Sequence, residues 1–237
     1  MCLILFAICP NDDYDLIVAA NRDEFYARPS SQAGFWAGSN ILAGKDLEAG
    51  GTWLGINRQG RFAAVTNFRE TPPEPLPPRS RGDLPTHFLA GNADPEAYLS
   101  KVNQDKDQFR GFNLLLGQAQ HYYYYCNRQQ QIVTLQPGCY GLSNQVLDCD
   151  WPKVEQGRLH LNELTSNFVA EDLFDLLRRP GNQAAFSNSF IASSDYGTRA
   201  STIVTISKSG QVYFEERQFL PEGEPGPTIS HQFQIDR

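Results

Sequence analysis

The sequence has no surplus of positive charge: 20 Lys and Arg stand against 27 Asp and Glu, a formal net charge of -7 over 237 residues. Without a general basic face, neither nucleic acid nor an anionic membrane is an expected partner, and any anion site must be local. There is no C-x-x-C spacing among the five cysteines, Cys2, Cys9, Cys126, Cys139 and Cys149, which argues against a disulfide framework or a structural zinc and for a reducing, cytoplasmic location. There is no C-x-x-C-H, and His87, His121, His160 and His231 are far apart in sequence, so no metal is expected and no haem-ligand set is legible. The apolar start, Cys2 to Ile8, has no positive flank, is broken by Pro10 and Asn11-Asp12-Asp13 and lacks a small-residue cleavage pattern. It is therefore read as neither a signal peptide nor a transmembrane span. No repeat and no linker interrupts the chain. At 41% hydrophobic residues it has the means to bury a sizeable core, as one generous domain or two small ones.

Cys2 to Ile8 and Asp15 to Ala20 flank the turn-rich Pro10 to Tyr14 and predict a hairpin of buried strands, closed by the polar cluster Asn21-Arg22-Asp23-Glu24. A second hairpin is predicted from Gly51–Ile56 and Arg61–Asn67 around Asn57-Arg58-Gln59-Gly60. Pro72, Pro73, Pro75, Pro77 and Pro78 force a loop over residues 69–81. Its arginines, Arg69, Arg79 and Arg81, are read as a solvated face or as groups that greet an anion. Asp83, and then Asp94-Pro95-Glu96, predict two short helices. Strands follow at Phe112–Leu116, Tyr122–Cys126 and Ile132–Leu135, in which Tyr122 to Tyr125 alternate between faces and suit a half-buried sheet. Residues 151–165 and 169–179 read as helices, and Ala200–Ser207, Gln211–Arg217 and Ile229–Ile235 as strands after a loose stretch 221–227. Early strands, middle helices and late strands without βαβ alternation predict antiparallel sheets covered by helices.

Cys2 is the residue with most chemical content. Removal of Met1 would leave it holding both a thiol nucleophile and a free α-amine of pKa about 8 that serves as its base. A buried cysteine in a first strand is also ordinary packing. Strand ends carry further polar groups: Arg22 and Asp23, Asn67, Asn144 and Arg199. Each taken singly has a plain structural explanation as a surface pair or turn residue.

Taken together, these residues resemble the NRDE-domain family, which includes the eukaryotic transport and Golgi organisation protein two. The matching segments are Met1-Cys2, Ala19 to Tyr26 with Arg28-Pro29, Gly50 to Gly55, Thr66-Asn67, Arg81-Gly82, Gly111 to Leu114, Tyr140 to Asn144 and Tyr196 to Arg199. They run in order through nearly the whole chain. Through that family the sequence is similar, more weakly, to N-terminal nucleophile (Ntn) hydrolases of the penicillin V acylase and conjugated bile acid hydrolase type. That similarity implies a single domain over residues 1–237 with an α+β fold, a four-layer αββα sandwich of two antiparallel sheets flanked by helices. It also implies a site made of Cys2, Arg22, Asp23, Asn67, Asn144 and Arg199. Those hydrolases separate the first arginine and aspartate. Here Arg22 and Asp23 are adjacent, so an extended strand sends them to opposite faces.

The implied activity is acyl transfer from an amide to Cys2, followed by hydrolysis of the thioester. Arg22 and Arg199 would favour thiolate, Asp23 would orient the amine, and Asn67 and Asn144 would donate to the oxyanion. No cofactor is required, and the partner is a small-molecule or acyl-amide substrate. The alternative on the same fold is a binding or trafficking protein in haem movement or lipid homeostasis, its pocket holding haem or acyl-coenzyme A.

Overall fold

The computed structural model describes residues 2–72 and 78–236. Expectations for Met1 and for Pro73, Pro75 and Pro77 lie outside the described residues. The elements run β1 (Leu3–Ile8), β2 (Tyr14–Phe25), β3 (Ser30–Phe35), β4 (Ile41–Asp46), β5 (Leu54–Asn57), β6 (Phe62–Asn67), α1 (Asp83–Ala90) and α2 (Pro95–Gln104). They continue with β7 (Phe112–Gln118), β8 (His121–Cys126), β9 (Gln131–Leu135), β10 (Gly138–Leu142), α3 (Pro152–Leu164), α4 (Ala170–Leu177), β11 (Tyr196–Ser207), β12 (Gln211–Phe219) and β13 (Pro225–Gln234). No described helix is long and apolar enough to cross a membrane.

The fold class is α+β, with two antiparallel sheets and two helix pairs, and the chain divides into two compact units. The first unit holds a six-stranded sheet in the order β10-β1-β2-β11-β12-β13, with α3 against β1 and β10 and α4 against β2 and β11. Every residue of β1 is buried, which is why it reads as a continuous apolar run rather than an alternating one. The second unit holds a seven-stranded sheet in simple sequence order from β3 to β9, with α1 on β5, β6 and β7 and α2 on β7 and β8. Its core gathers Phe88, Leu99, Phe109, Phe112, Leu114 and Tyr125.

Two glycines seat α3. A Cβ at Gly157 would lie 2.7 Å from Leu5 Cδ1, and one at Gly141 would lie 2.8 Å from Val154 Cγ1. The helix therefore approaches β1 and β10 more closely than side chains would allow at those positions, and its first turn is pressed into the unit. The helix α2 follows its local code, with the Asp94 carboxylate accepting from Glu96 N at 3.0 Å and Ala97 N at 3.3 Å, and Pro95 at N1.

Several boundaries differ from expectation. The strand β2 does not close at Ala20 but runs to Phe25, because Asn21 and Asp23 find buried partners that let a polar segment continue the ladder. Three strands went unread: β3, an edge strand with Gly34 and exposed polar residues; β4; and β10, which carries Gly138 and Gly141. The strand β13 begins at Pro225, so part of the supposed loose stretch is paired with β12. Asp83 is the first residue of α1, and Gly82 holds the cap position before it. The tyrosine run is more deeply packed than a half-buried sheet implies: Tyr122, Tyr124 and Tyr125 are all buried, with hydroxyls donating from Tyr124 to Asn113 Oδ1 at 2.8 Å and from Tyr125 to Asn103 Oδ1 at 2.7 Å.

Candidate functional site

Within the first unit the ladder of β1 and β2 pairs Leu3 with Asn21, so Cys2 emerges from it beside Arg22 and Asp23. Cys2 is half-buried, and its carbonyl accepts from Ser143 Oγ at 2.6 Å, which ties the residue to the end of β10. Burial pushes the Cys2 thiol up, with the Asp23 carboxylate adding to the rise, while a backbone hydrogen bond at Asp23 and the Arg22 guanidinium oppose it. The resting sulfur is therefore protonated, and a nucleophilic role needs a base and nearby positive charge.

The strand alternation separates the tetrapeptide as expected. Asn21 and Asp23 are buried, while Arg22 and Glu24 are half-buried. Arg22 Nη2 lies 3.8 Å from Glu24 Oε2, which in turn lies 3.9 Å from Arg28 Nε. Asn21 is wholly buried and makes a saturated network: Nδ2 donates to the carbonyls of Leu177 at 2.9 Å and Ser189 at 2.8 Å, and Oδ1 accepts from Ser201 Oγ at 2.6 Å. That network joins β2, β11 and the end of α4, and it makes Asn21 an architectural residue.

Asp23 is also buried, and its Oδ1 accepts from Thr198 Oγ1 at 2.7 Å. Thr198 is its partner across the β2–β11 ladder. Burial pushes the Asp23 carboxyl up, and the positive charge of Lys153 and the Thr198 hydrogen bond pull against it. Lys153, at the second residue of α3, is buried, and Nζ has no hydrogen-bond partner. Burial pushes the Lys153 ammonium down, opposed by the negative charges of Asp23, Cys2 and Cys149. Neither Thr198 nor Lys153 was singled out from sequence. Thr198 lay inside the quoted Tyr196-Gly197-Thr198-Arg199 segment, whereas a lysine after Pro152 at a helix start reads as an exposed side chain.

Arg199 occupies a β-bulge. Register passes from Thr198 opposite Asp23 to Ala200 opposite Arg22, so the extra residue is re-aimed. Its Nη1 donates to the Arg28 carbonyl and, at 3.4 Å, to that of Phe25. The guanidinium thus braces the turn after β2.

Asn67 and Asn144 belong to the second unit, where they meet each other. Asn67 is exposed at the end of β6, and Asn144 is buried. The Asn144 Nδ2 donates to the Asn67 carbonyl at 2.8 Å, and the Asn144 carbonyl accepts from Arg69 N at 2.8 Å. Arg79 and Arg81, in the same unit, are engaged locally: Arg79 Nε is 3.8 Å from Asp83 Oδ2, and Arg81 Nη1 donates to the Gly111 carbonyl at 3.2 Å. Among the described residues no group of three or more His, Cys, Asp or Glu side chains gathers to hold a metal ion.

The family model described as Transport and Golgi organisation 2 matches residues 1–221. A Transport and Golgi organization 2 homolog from Mus musculus is 35% identical over 259 residues, covering 93% of this chain and 94% of its own length. Two solved structures share the fold at low identity. A conjugated bile acid hydrolase from Clostridium perfringens, in its C2A mutant form, has a TM-score of 0.56 and 9% identity, covering 98% of this chain and 92% of its own. A Caenorhabditis elegans ortholog of N-acylethanolamine-hydrolyzing acid amidase has a TM-score of 0.54 and 10% identity, covering 86% and 92%.

Proposed function

The chain belongs to the Transport and Golgi organisation 2 family, and on that premise we propose that it is an N-terminal cysteine amidohydrolase acting on a C–N amide bond of a small or acylated substrate. The observation that carries this reading is the setting of Cys2: a half-buried residue at the mouth of the β1–β2 ladder, in the field of Asp23 and Arg22. The sulfur attacks the amide carbon, its proton passes through a base to the leaving nitrogen, the C–N bond breaks and an amine departs. Water then attacks the thioester, the C–S bond breaks, and a carboxylic acid leaves as the thiol is restored. With Met1 removed, the α-amine of Cys2 is the base. Arg22 stabilises the thiolate by proximity of charge. Asp23, fixed by Thr198, orients the amine.

The test is amine release from a panel of N-acyl amides by the full chain, its mature N-terminus fixed by intact mass, alongside Cys2→Ala. The expected result is turnover, with a mass increment equal to the acyl group on the Cys2 peptide, both lost in Cys2→Ala. Release that persists in Cys2→Ala, or an absence of release and of adduct across the panel, refutes the reading.

A second reading, a holder of haem or acyl-coenzyme A without turnover, is favoured by one observation. The Asn144 amide donates to the Asn67 carbonyl, which commits one of its two N–H groups to the fold rather than to an oxyanion. Saturable binding of either ligand, unchanged in Cys2→Ala and with no amide cleavage, would select it.

A further inference from the structure

The connection from α4 to β11, residues 178–195, contains no helix or strand, yet it is bonded to both buried residues of the tetrapeptide at 21–24. A connection of that length inside a compact unit is usually kept for a function. The Ser189 carbonyl accepts from Asn21 Nδ2 at 2.8 Å. Ile191 then forms a two-point clasp with β11: Thr198 N donates to the Ile191 carbonyl at 2.8 Å, and Ile191 N donates to Thr198 Oγ1 at 3.0 Å. Gly197 makes room for the clasp, since a Cβ there would lie 2.7 Å from the Ile191 carbonyl oxygen. The hydroxyl that receives Ile191 N–H donates in turn to Asp23 Oδ1 at 2.7 Å, and Thr198 is wholly buried. An amide N–H can only donate and a carboxylate only accept, so a hydroxyl set between them has its single proton directed at Asp23. Upstream, Phe186 has φ 59, in the left-handed region that a bulky side chain rarely adopts. Such a conformation persists where neighbours over-determine it. Here the Phe186 ring stacks on Trp151, with centroids 4.2 Å apart and planes 10° apart, and its carbonyl accepts from Lys153 N at 3.2 Å. That stack latches the connection to the start of α3, with residues 182–185 exposed before it.

We propose that the α4–β11 connection is the positioning element of Asp23: Ile191 N–H holds the Thr198 hydroxyl turned toward the carboxylate, and the Phe186–Trp151 stack latches the connection in the state that does so. The inference rests on the amidohydrolase reading, in which Asp23 orients the amine of Cys2. It extends that reading by placing control of Asp23 in a segment remote from the tetrapeptide in sequence. Opening the latch would free the Thr198 hydroxyl to turn and leave the buried carboxylate with one donor fewer. The other groups whose charge acts on this carboxyl are Lys153 of α3, Cys2 at the head of β1 and Tyr26 after β2.

The experiment is a carbon-13 NMR titration of the full chain, labelled at the aspartate carboxyls, from about pH 3 to 9. The Asp23 resonance is identified by its loss in Asp23→Asn. Wild type is compared with Thr198→Val, Thr198→Ser, Ile191→Pro and Phe186→Gly, each checked for folding by circular dichroism. A hydrogen bond to the carboxylate favours its charged form, so in Thr198→Val the Asp23 midpoint is expected to move up by about one unit, a tenfold change in proton affinity. Thr198→Ser keeps the hydroxyl and is expected to keep the wild-type midpoint, a rescue that a merely structural role would not give. Ile191→Pro removes the amide proton and leaves the hydroxyl, and Phe186→Gly removes the latch while suiting the left-handed backbone. Both are expected to move the midpoint up as Thr198→Val does. A midpoint unmoved in Thr198→Val, or in either of these two variants when folded, overturns the inference. The titration reads Asp23 without turnover, so that failure leaves the amidohydrolase reading standing, and a failure of amide cleavage leaves the measured coupling in place.

Discussion

Replacing Asn21 by leucine isolates the architectural half of the Asn21-Asp23 face from its chemistry. Leucine has the branched shape of asparagine but is larger and has no polar atoms, so the substitution removes three hydrogen bonds of 2.9, 2.8 and 2.6 Å and opens no cavity, with some overpacking in addition. Each such bond contributes about 1 kcal/mol net, and the stranded carbonyls of Leu177 and Ser189 and the Ser201 hydroxyl add desolvation of about 1–3 kcal/mol apiece where nothing replaces the partner. Partial relaxation brings the expected loss to about 3–5 kcal/mol, a large share of the 5–15 kcal/mol a domain ordinarily has. Urea denaturation followed by circular dichroism should show the midpoint falling by about 1–2 M for a slope of about 2–3 kcal/mol/M. Ser201→Ala alone should cost about 1 kcal/mol. Added to Asn21→Leu it should recover part of the loss, because it removes an orphaned hydroxyl, and the cycle should therefore be non-additive. A loss below about 1 kcal/mol, or strict additivity, would refute the assignment of Asn21 to the fold.

Three other outcomes follow from the same coordinates. Burial lowers the pKa of Lys153 from its ordinary 10.5, so between the lowered value and 10.5 the unfolded chain holds more protons than the native one. Wild-type stability should accordingly rise with pH through that window, and the rise should be missing from Lys153→Met in denaturation series at fixed ionic strength. Gly157→Ala gains about 1 kcal/mol of helix propensity but sets a methyl 2.7 Å from Leu5 Cδ1; the overpacking should win, lowering stability by about 1–2 kcal/mol in thermal melts. Arg61 is buried, donates from Nε to the Phe88 carbonyl at 3.0 Å and from Nη2 to that of Ala93 at 2.8 Å, and lies 3.8 Å from the centroid of the Phe88 ring. Arg61→Lys keeps the charge but not the planar fork and should cost about 2–3 kcal/mol in urea denaturation.

The segments legible in the sequence are those whose burial is uniform or whose turns are coded by type. The run from Leu3 to Ile8 is read correctly because both faces are apolar, and α2 because Asp94 and Pro95 spell its start. The strands β3 and β10 escape because glycine and serine give no periodicity. Their pairing is fixed by neighbours, β10 by the β1 ladder and β3 by β4. The extension of β2 escapes for the opposite reason: a cluster of Asn, Arg, Asp and Glu looks like a terminus until partners from Ser201 and Thr198, far along the chain, satisfy it. The same physics hides Lys153, since nothing local distinguishes a lysine that a helix will bury from one that it will expose. Arg22 and Asp23 diverge on the strand as alternation requires, whereas the turn of Arg199 toward carbonyls depends on a bulge that no single residue announces.

The strand order of the first sheet also governs how the protein is made. The hairpin of β1 and β2 is made before β10 and β11, which flank it in the sheet and come much later in the chain, and the hydroxyl that meets Asn21 is 180 residues downstream. At 5–20 residues per second, that interval is about 10–40 s of synthesis. Until β10 is made the apolar two-stranded ribbon has both edges open to wrong partners, and its β2 edge stays open until β11 follows, so the nascent chain should depend on a chaperone that shields this hairpin until β11 has been made.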